Sequence, residues 1–123
     1  LGHDFCVISL SDNLKPWSII EKRLVAAVEG DFVLAFYNPA SKARPDQIGR
    51  AFDVLRRQAG DRVVVLAKAV GRPDEEIVHT RLSAVRPEQV DMRTLVLIGS
   101  SQTRLIERAG REPWLYSPRR WEA

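Results

Sequence analysis

The chain has 123 residues, 45% of them hydrophobic and 28% charged, which is material for one globular domain with a sizeable core. No apolar run reaches the ~18 residues of a membrane span, and no secretory leader is read at the start. One cysteine, Cys6, excludes an internal disulfide, and the formal charge of +3 favours anionic partners.

A cytoplasmic location is expected from this cysteine usage. With His3 and His79 the two histidines and no paired Cys/His spacing, no metal site is expected. The basic residues are dispersed along the chain, so nucleic acid is not the expected partner.

Phe5–Leu10 reads as a strand, with Cys6 a small buried residue inside it. Ser11, Asp12 and Asn13 supply turn chemistry, and Pro16 suits a first helical turn, where its missing N–H costs nothing. Trp17, Ile20, Leu24 and Ala27 recur at helical spacing, and Gly30 stands where that helix should stop. Asp31–Tyr37 is apolar on both faces, the pattern of a strand inside a sheet covered on both sides. Pro45 and Asp46 open a second helix, with Ile48, Ala51, Phe52, Leu55 and Ala59 on one side and Gly60 at its end.

Arg62–Val70 is a Val-rich strand, Gly71–Asp74 a turn, and Glu76–Val85 a strand returning antiparallel. Arg86–Asp91 reads as one helical turn and Thr94–Gly99 as a further strand. The segment Glu112–Trp121, EPWLYSPRRW, reads as an edge strand followed by an arm. This order predicts an α/β domain spanning 1–123: a mixed sheet of five or six strands with helices on both faces, joined early on by right-handed crossovers. Neither an internal repeat nor an internal linker is visible.

Ligands of open α/β sheets gather at the carboxyl ends of strands. Three ends are candidates: Tyr37-Asn38-Pro39, Lys68-Ala69-Val70-Gly71, and Gly99 to Arg104. Pro39 fixes its own φ, lacks a donor and holds Asn38 extended. Spacing alone favours an ordinary strand-to-loop transition at each end. There is no GxSxG, P-loop or GxGxxG, and the acidic trio Asp74–Glu76 beside a Gly/Pro turn reads as solvated loop.

Four stretches carry a resemblance: GHDFCVISLSDNLKPW (Gly2–Trp17), FYNPASKARPDQ (Phe36–Gln47), VDMRTLVLIGSSQTR (Val90–Arg104) and SPRRW (Ser117–Trp121). They are similar to the second half of the precorrin C17-methyltransferases, a cobalamin-pathway branch of the tetrapyrrole methylases. The resemblance implies two α/β domains with S-adenosylmethionine between them, of which this chain is the C-terminal one. It implies methylation of precorrin-3B at C17, with ring contraction to precorrin-4, by the full-length enzyme, and an inactive fragment on its own. Carried over residue by residue, the cofactor positions fall on Tyr37, Asn38 and Pro39, then on Ala69 or Val70. Lys42, Arg44 and Arg119 are the candidates for the carboxylates of the precorrin macrocycle, with surface solvation the equal alternative. No catalytic acid or base is assigned; His3, beside the implied domain junction, is the one candidate. Lys15 departs from the family's threonine and Ser100 from its asparagine.

Two other classes compete. One is a different tetrapyrrole methylase or a diphthine synthase-type methylase. The other is a basic α/β nucleic-acid-binding or interaction domain, which would interleave aromatics with Arg and Lys on one face. Trp17 and Phe52 instead fall on apolar helix faces. Trp114, Tyr116 and Trp121 are candidates for a homodimer interface.

Overall fold

The computed structural model describes residues 4–39 and 46–117. His3, Lys42, Arg44, Arg119 and Trp121 lie outside the described residues. Five strands form one mixed sheet: β1 (Phe5–Ser9), β2 (Val33–Tyr37), β3 (Val63–Lys68), β4 (Glu76–Arg81) and β5 (Thr94–Ile98). Two helices, α1 (Trp17–Glu29) and α2 (Gln47–Ala59), connect β1 to β2 and β2 to β3. Each expected strand and helix of this unit is present, trimmed by one to four residues at its ends.

The strand order is β1-β2-β5-β3-β4. β1 and β2 run parallel, with Phe5 opposite Val33 and Ser9 opposite Tyr37. β5 is antiparallel to both its neighbours: Phe36 faces Val96 across one seam, and Leu66 faces Val96 across the other. The β3–β4 hairpin is antiparallel, as the sequence suggested. A 3-10 turn at Pro87–Gln89 returns the chain from β4 to the sheet centre.

The five-stranded mixed sheet is the expected class, but α1 and α2 do not divide between its faces. They pack against each other and share one core with Leu34 and Phe36 of β2, Val64 and Leu66 of β3, and Val96 and Ile98 of β5. The reason is topological. Both crossovers step across the sheet in the same direction, and right-handed crossovers in one direction place their helices on one face. Phe36, Phe52, Leu24 and Leu55 are fully buried in that layer. On the opposite face of β1, Phe5 and Val7 are exposed.

The end of the chain also differs from expectation. Instead of one edge strand, Arg104–Arg108 (β6) and Arg111–Tyr116 (β7) form a separate two-stranded hairpin, with an irregular register between Ile106 and Arg108. β6 is short and polar at both ends, so nothing in its pattern announced a strand until β7 supplied a partner. Pro113 sits in β7, which has only one neighbour and tolerates a missing donor.

Asp31 ties this hairpin's root to the sheet. Its Oδ1 lies 3.1 Å from Arg62 Nη1 and accepts the Ser101 backbone N–H at 2.8 Å, while Oδ2 accepts the Ser101 hydroxyl. Arg62 also donates to the Gly99 carbonyl at 3.3 Å. Gly99 is required there by space: a Cβ would sit 2.6 Å from Thr103 Cβ. Thr103 is buried and its hydroxyl meets the Ser100 N–H at 3.0 Å and the Ser117 hydroxyl at 2.7 Å. Because β5 runs antiparallel, the segment Gly99–Arg104 therefore lies at the opposite end of the sheet from the tips of β2 and β3, and its polar groups are spent on this latch.

Candidate cofactor and substrate site

The tips of β1, β2 and β3 and the start of β5 share one sheet edge, since Ser9 pairs with Tyr37 and Lys68 pairs with Thr94. This edge brings Tyr37, Asn38 and Pro39 to one side of β5, and Ala69 and Val70 to the other. Two strand spacings, about 10 Å, separate the two tips. Tyr37, Asn38 and Val70 are exposed, whereas Pro39 and Ala69 are buried and could offer a ligand only main-chain atoms.

The backbone at both tips is unusual. Asn38 has φ +51° and Ala69 φ +49°, the left-handed region that L residues avoid. For Asn38 this corrects the extended conformation expected before a proline. Its side chain compensates locally: Asn38 Nδ2 donates to Ser9 Oγ at 3.2 Å, and Ser9 Oγ also accepts the Ser11 N–H at 3.3 Å. Ala69 has no side chain with which to compensate. Its carbonyl accepts the Arg72 N–H at 3.0 Å, and the following Gly71 N–H is capped by Glu75 Oε1 at 3.0 Å. Strain of this kind costs on the order of 1–3 kcal/mol per residue and persists where the surroundings enforce it.

The strain at Ala69 is measurable by substitution. Ala69→Gly removes the left-handed penalty of about 1–2 kcal/mol and restores roughly 0.4–1 kcal/mol of unfolded-state entropy, so a net gain of about 0.5–1 kcal/mol is expected. Ala69→Val should lose at least as much as glycine gains. Urea melts check both; equal midpoints for the valine and glycine variants would show that the backbone there is unstrained.

The rim of this edge is built by the first turns of both helices. Gln47, buried at the start of α2, donates from Nε2 to Asp12 Oδ1 at 2.8 Å and so fastens the loop after β1 to the helix after β2. The Arg50 guanidinium carbon lies 4.7 Å from the Trp17 ring centroid. Behind the edge, Asp91 caps the turn into β5. It accepts the Arg93 N–H at 2.8 Å and the Thr94 hydroxyl at 3.0 Å. The Arg93 N–H, then the Thr94 hydroxyl and the charges of Lys68 and Arg93, hold the Asp91 carboxyl below its usual range against an opposing effect of burial.

The acidic trio is structural in two of its members: Glu75 caps Gly71, and Asp74 pairs with Arg93 at 3.2 Å. Ser9, Gln47, Arg50 and Asp91 escaped the sequence reading. A polar Gln47 at the head of an apolar helix face was the one available signal. Among the described residues no cluster of His, Cys, Asp and Glu could hold a metal ion.

No protein-family model matches the chain. Individual proteins do. A precorrin-3B C(17)-methyltransferase of Sinorhizobium sp. is 52% identical over 120 residues, 97% of this chain and 47% of that protein. A Salmonella typhimurium protein named "Probable cobalt-factor III C(17)-methyltransferase" is 49% identical over 104 residues, 84% of this chain and 43% of the relative. The crystal structure of the methyltransferase CobJ superposes with a TM-score of 0.86 at 50% identity, over 96% of this chain and 48% of its own.

The chain is similar, over nearly its whole length, to one half of the cobalamin C17-methyltransferases.

It spans about half the length of the relatives it matches. The family resemblance read from Gly2–Trp17 and Phe36–Gln47 thus holds across almost the whole chain. The mixed sheet seen here is the fold of the corresponding half of the methyltransferase CobJ. Phe52 is fully buried and Trp17 packs against the core, as their apolar helix faces predicted.

Proposed function

We propose that this chain is the C-terminal domain of a two-domain, S-adenosylmethionine-dependent C-methyltransferase that converts precorrin-3B to precorrin-4 in cobalamin biosynthesis. One observation carries the reading beyond the sequence similarity. The two strand tips that the resemblance assigns to the cofactor hold left-handed backbones on one sheet edge, Asn38 on one side of β5 and Ala69 on the other. That arrangement turns main-chain polar groups out of the ladder, where they suit an adenosine better than a charged group would.

Tyr37, Asn38, Pro39, Ala69 and Val70 would hold the cofactor, which supplies an electrophilic methyl on a sulfonium. There it would offer that methyl to a nucleophilic ring carbon of the macrocycle. The protein's task is alignment, which can supply about 7–11 kcal/mol in well-oriented reactions. Tyr37, about half exposed beside Asn38, would shield one flank from water. Lys42, Arg44 and Arg119 remain proposed partners of substrate carboxylates, and His3 a proposed acid or base. A cytoplasmic location and a homodimer belong to the same proposal; exposed Ile106 and Tyr116 on the β6–β7 hairpin support the dimer.

The test is a chimera in which this chain replaces the corresponding half of the Sinorhizobium relative. With S-adenosylmethionine and precorrin-3B it should yield product heavier by one methyl group, and scattering should give a dimer's mass. A folded chimera without methyl transfer would overturn the reading. The isolated chain should bind S-adenosylmethionine too weakly for calorimetry; tight binding would refute the half-site.

A further inference from the structure

We propose that Arg50, stacked on Trp17, binds a peripheral carboxylate of the tetrapyrrole substrate; this rests on the methyltransferase reading above. Trp17 begins α1 and Arg50 lies in the first turn of α2. Both helices start where β1 and β2 end, so the pair stands on the rim of the candidate edge, next to the Gln47–Asp12 bond. The guanidinium carbon lies 4.7 Å from the ring centroid. In a stack of this kind the cation uses its flat face, and its N–H edge stays free to grip a carboxylate with two parallel hydrogen bonds.

Among the described residues, the surrounding charges leave that edge available. Among the described residues, no carboxylate is paired with Arg50, which is exposed. Asp12 is engaged by Gln47, and Asp53, one helical turn further on, by Arg56 at 3.4 Å. Asp46, at the head of α2, is exposed and forms no ion pair with Arg50. Most other arginines with described partners are already committed: Arg56 to two carbonyls, Arg62 to Asp31, Arg93 to Asp74, Arg104 to carbonyls of its own turn. Stacking also restricts the rotamers of a long side chain before substrate arrives, so less order is lost on binding. Lysine cannot reproduce either the planar stack or the paired donors.

The test uses the active chimera. Arg50→Ala should raise KM for precorrin-3B about tenfold with kcat unchanged, the pattern of a contact made equally in ground and transition states. KM for S-adenosylmethionine should stay put. Arg50→Lys should recover only part of the loss. Arg23→Ala, an exposed arginine on α1 away from this rim, serves as the charge control and should leave both KM values unchanged. A wild-type precorrin KM in Arg50→Ala, or an equal rise in Arg23→Ala, overturns the assignment while methyl transfer by the parent chimera keeps the functional reading intact. If the parent chimera is inactive, binding of uroporphyrin, a stable polycarboxylate tetrapyrrole, decides the same question: Arg50→Ala must bind it more weakly than Arg23→Ala.

Discussion

Asp31→Ala should destabilise the protein by about 3–5 kcal/mol, seen as a large fall in its urea midpoint. Asp31 and Arg62 are 13% and 11% exposed and 3.1 Å apart, so water screens them little. Among the described residues, removing the carboxylate leaves the guanidinium with the Gly99 carbonyl alone and returns both donors of exposed Ser101 to water. The backbone adds to this. Asp31 has φ +58°, where alanine is penalised and Asp or Asn is tolerated. The expected order of midpoints is wild type, then Asp31→Asn, then Asp31→Gly, then Asp31→Ala. Asparagine keeps an acceptor and the backbone preference but loses the charge, while glycine keeps only the backbone. Replacing both partners, Asp31→Ala with Arg62→Met, should recover part of the loss, because an unpaired buried charge costs more than a missing pair. A wild-type midpoint for Asp31→Ala would mean that the latch contributes nothing. The latch lies at the far end of the sheet from Asn38 and Ala69, so its loss is a stability effect separable from any effect on the candidate site.

Hydrophobic periodicity and turn residues made the five-stranded unit legible. α2 could be read because Ile48, Ala51, Phe52 and Leu55 recur on one side and are all buried there. β2 could be read because Val33, Leu34, Ala35 and Phe36 are apolar in both phases and buried in both. What stayed hidden depends on pairings between segments far apart in the chain. The insertion of β5 between β2 and β3 joins Phe36 to Val96 across sixty residues, and no local pattern encodes which gap a strand will enter. That one insertion sends Gly99–Arg104 to the wrong end for a ligand. The candidate site residues divide the same way. Tyr37, Asn38, Ala69 and Val70 were reachable through family likeness, and strand order then brought them to one edge. Gln47 and Arg50 gain their roles from partners 35 and 33 positions away, Asp12 and Trp17, which a periodic pattern treats as ordinary helix and loop residues.

The second large effect is expected at Gln47. Gln47→Glu should destabilise the protein by about 3 kcal/mol at neutral pH and return much of that stability on acidification. The side chain is 3% exposed, and its amide donates to Asp12 Oδ1 at 2.8 Å. Glutamate is nearly the same shape but turns the donor into a second carboxylate oxygen. One opposing effect exists: an acid in the first turn of a helix is favoured by the macrodipole, by roughly 0.3–1 kcal/mol at exposed sites. Loss of a charge-assisted bond, about 1.5–3 kcal/mol, together with repulsion between two desolvated carboxylates, outweighs it. The introduced carboxylate can relieve the clash by binding a proton, so its pKa is raised in the folded state. A raised pKa contributes stability that is fully present below the unfolded value and is lost as pH rises through the folded one. The gap between wild type and variant should therefore narrow as pH falls from neutral towards about 4. Gln47→Leu provides the comparison: it removes the donor without adding charge, so its deficit should be smaller and close to flat in pH. In the chimera, loosening the Ser11–Pro16 loop also disturbs Trp17 and thus the Arg50 stack, so KM for precorrin-3B should rise more for Gln47→Glu at high pH than at low pH. A Gln47→Glu variant as stable as wild type at neutral pH, or one whose deficit ignores acidification, would show that Gln47 and Asp12 do not share a closed, water-poor contact.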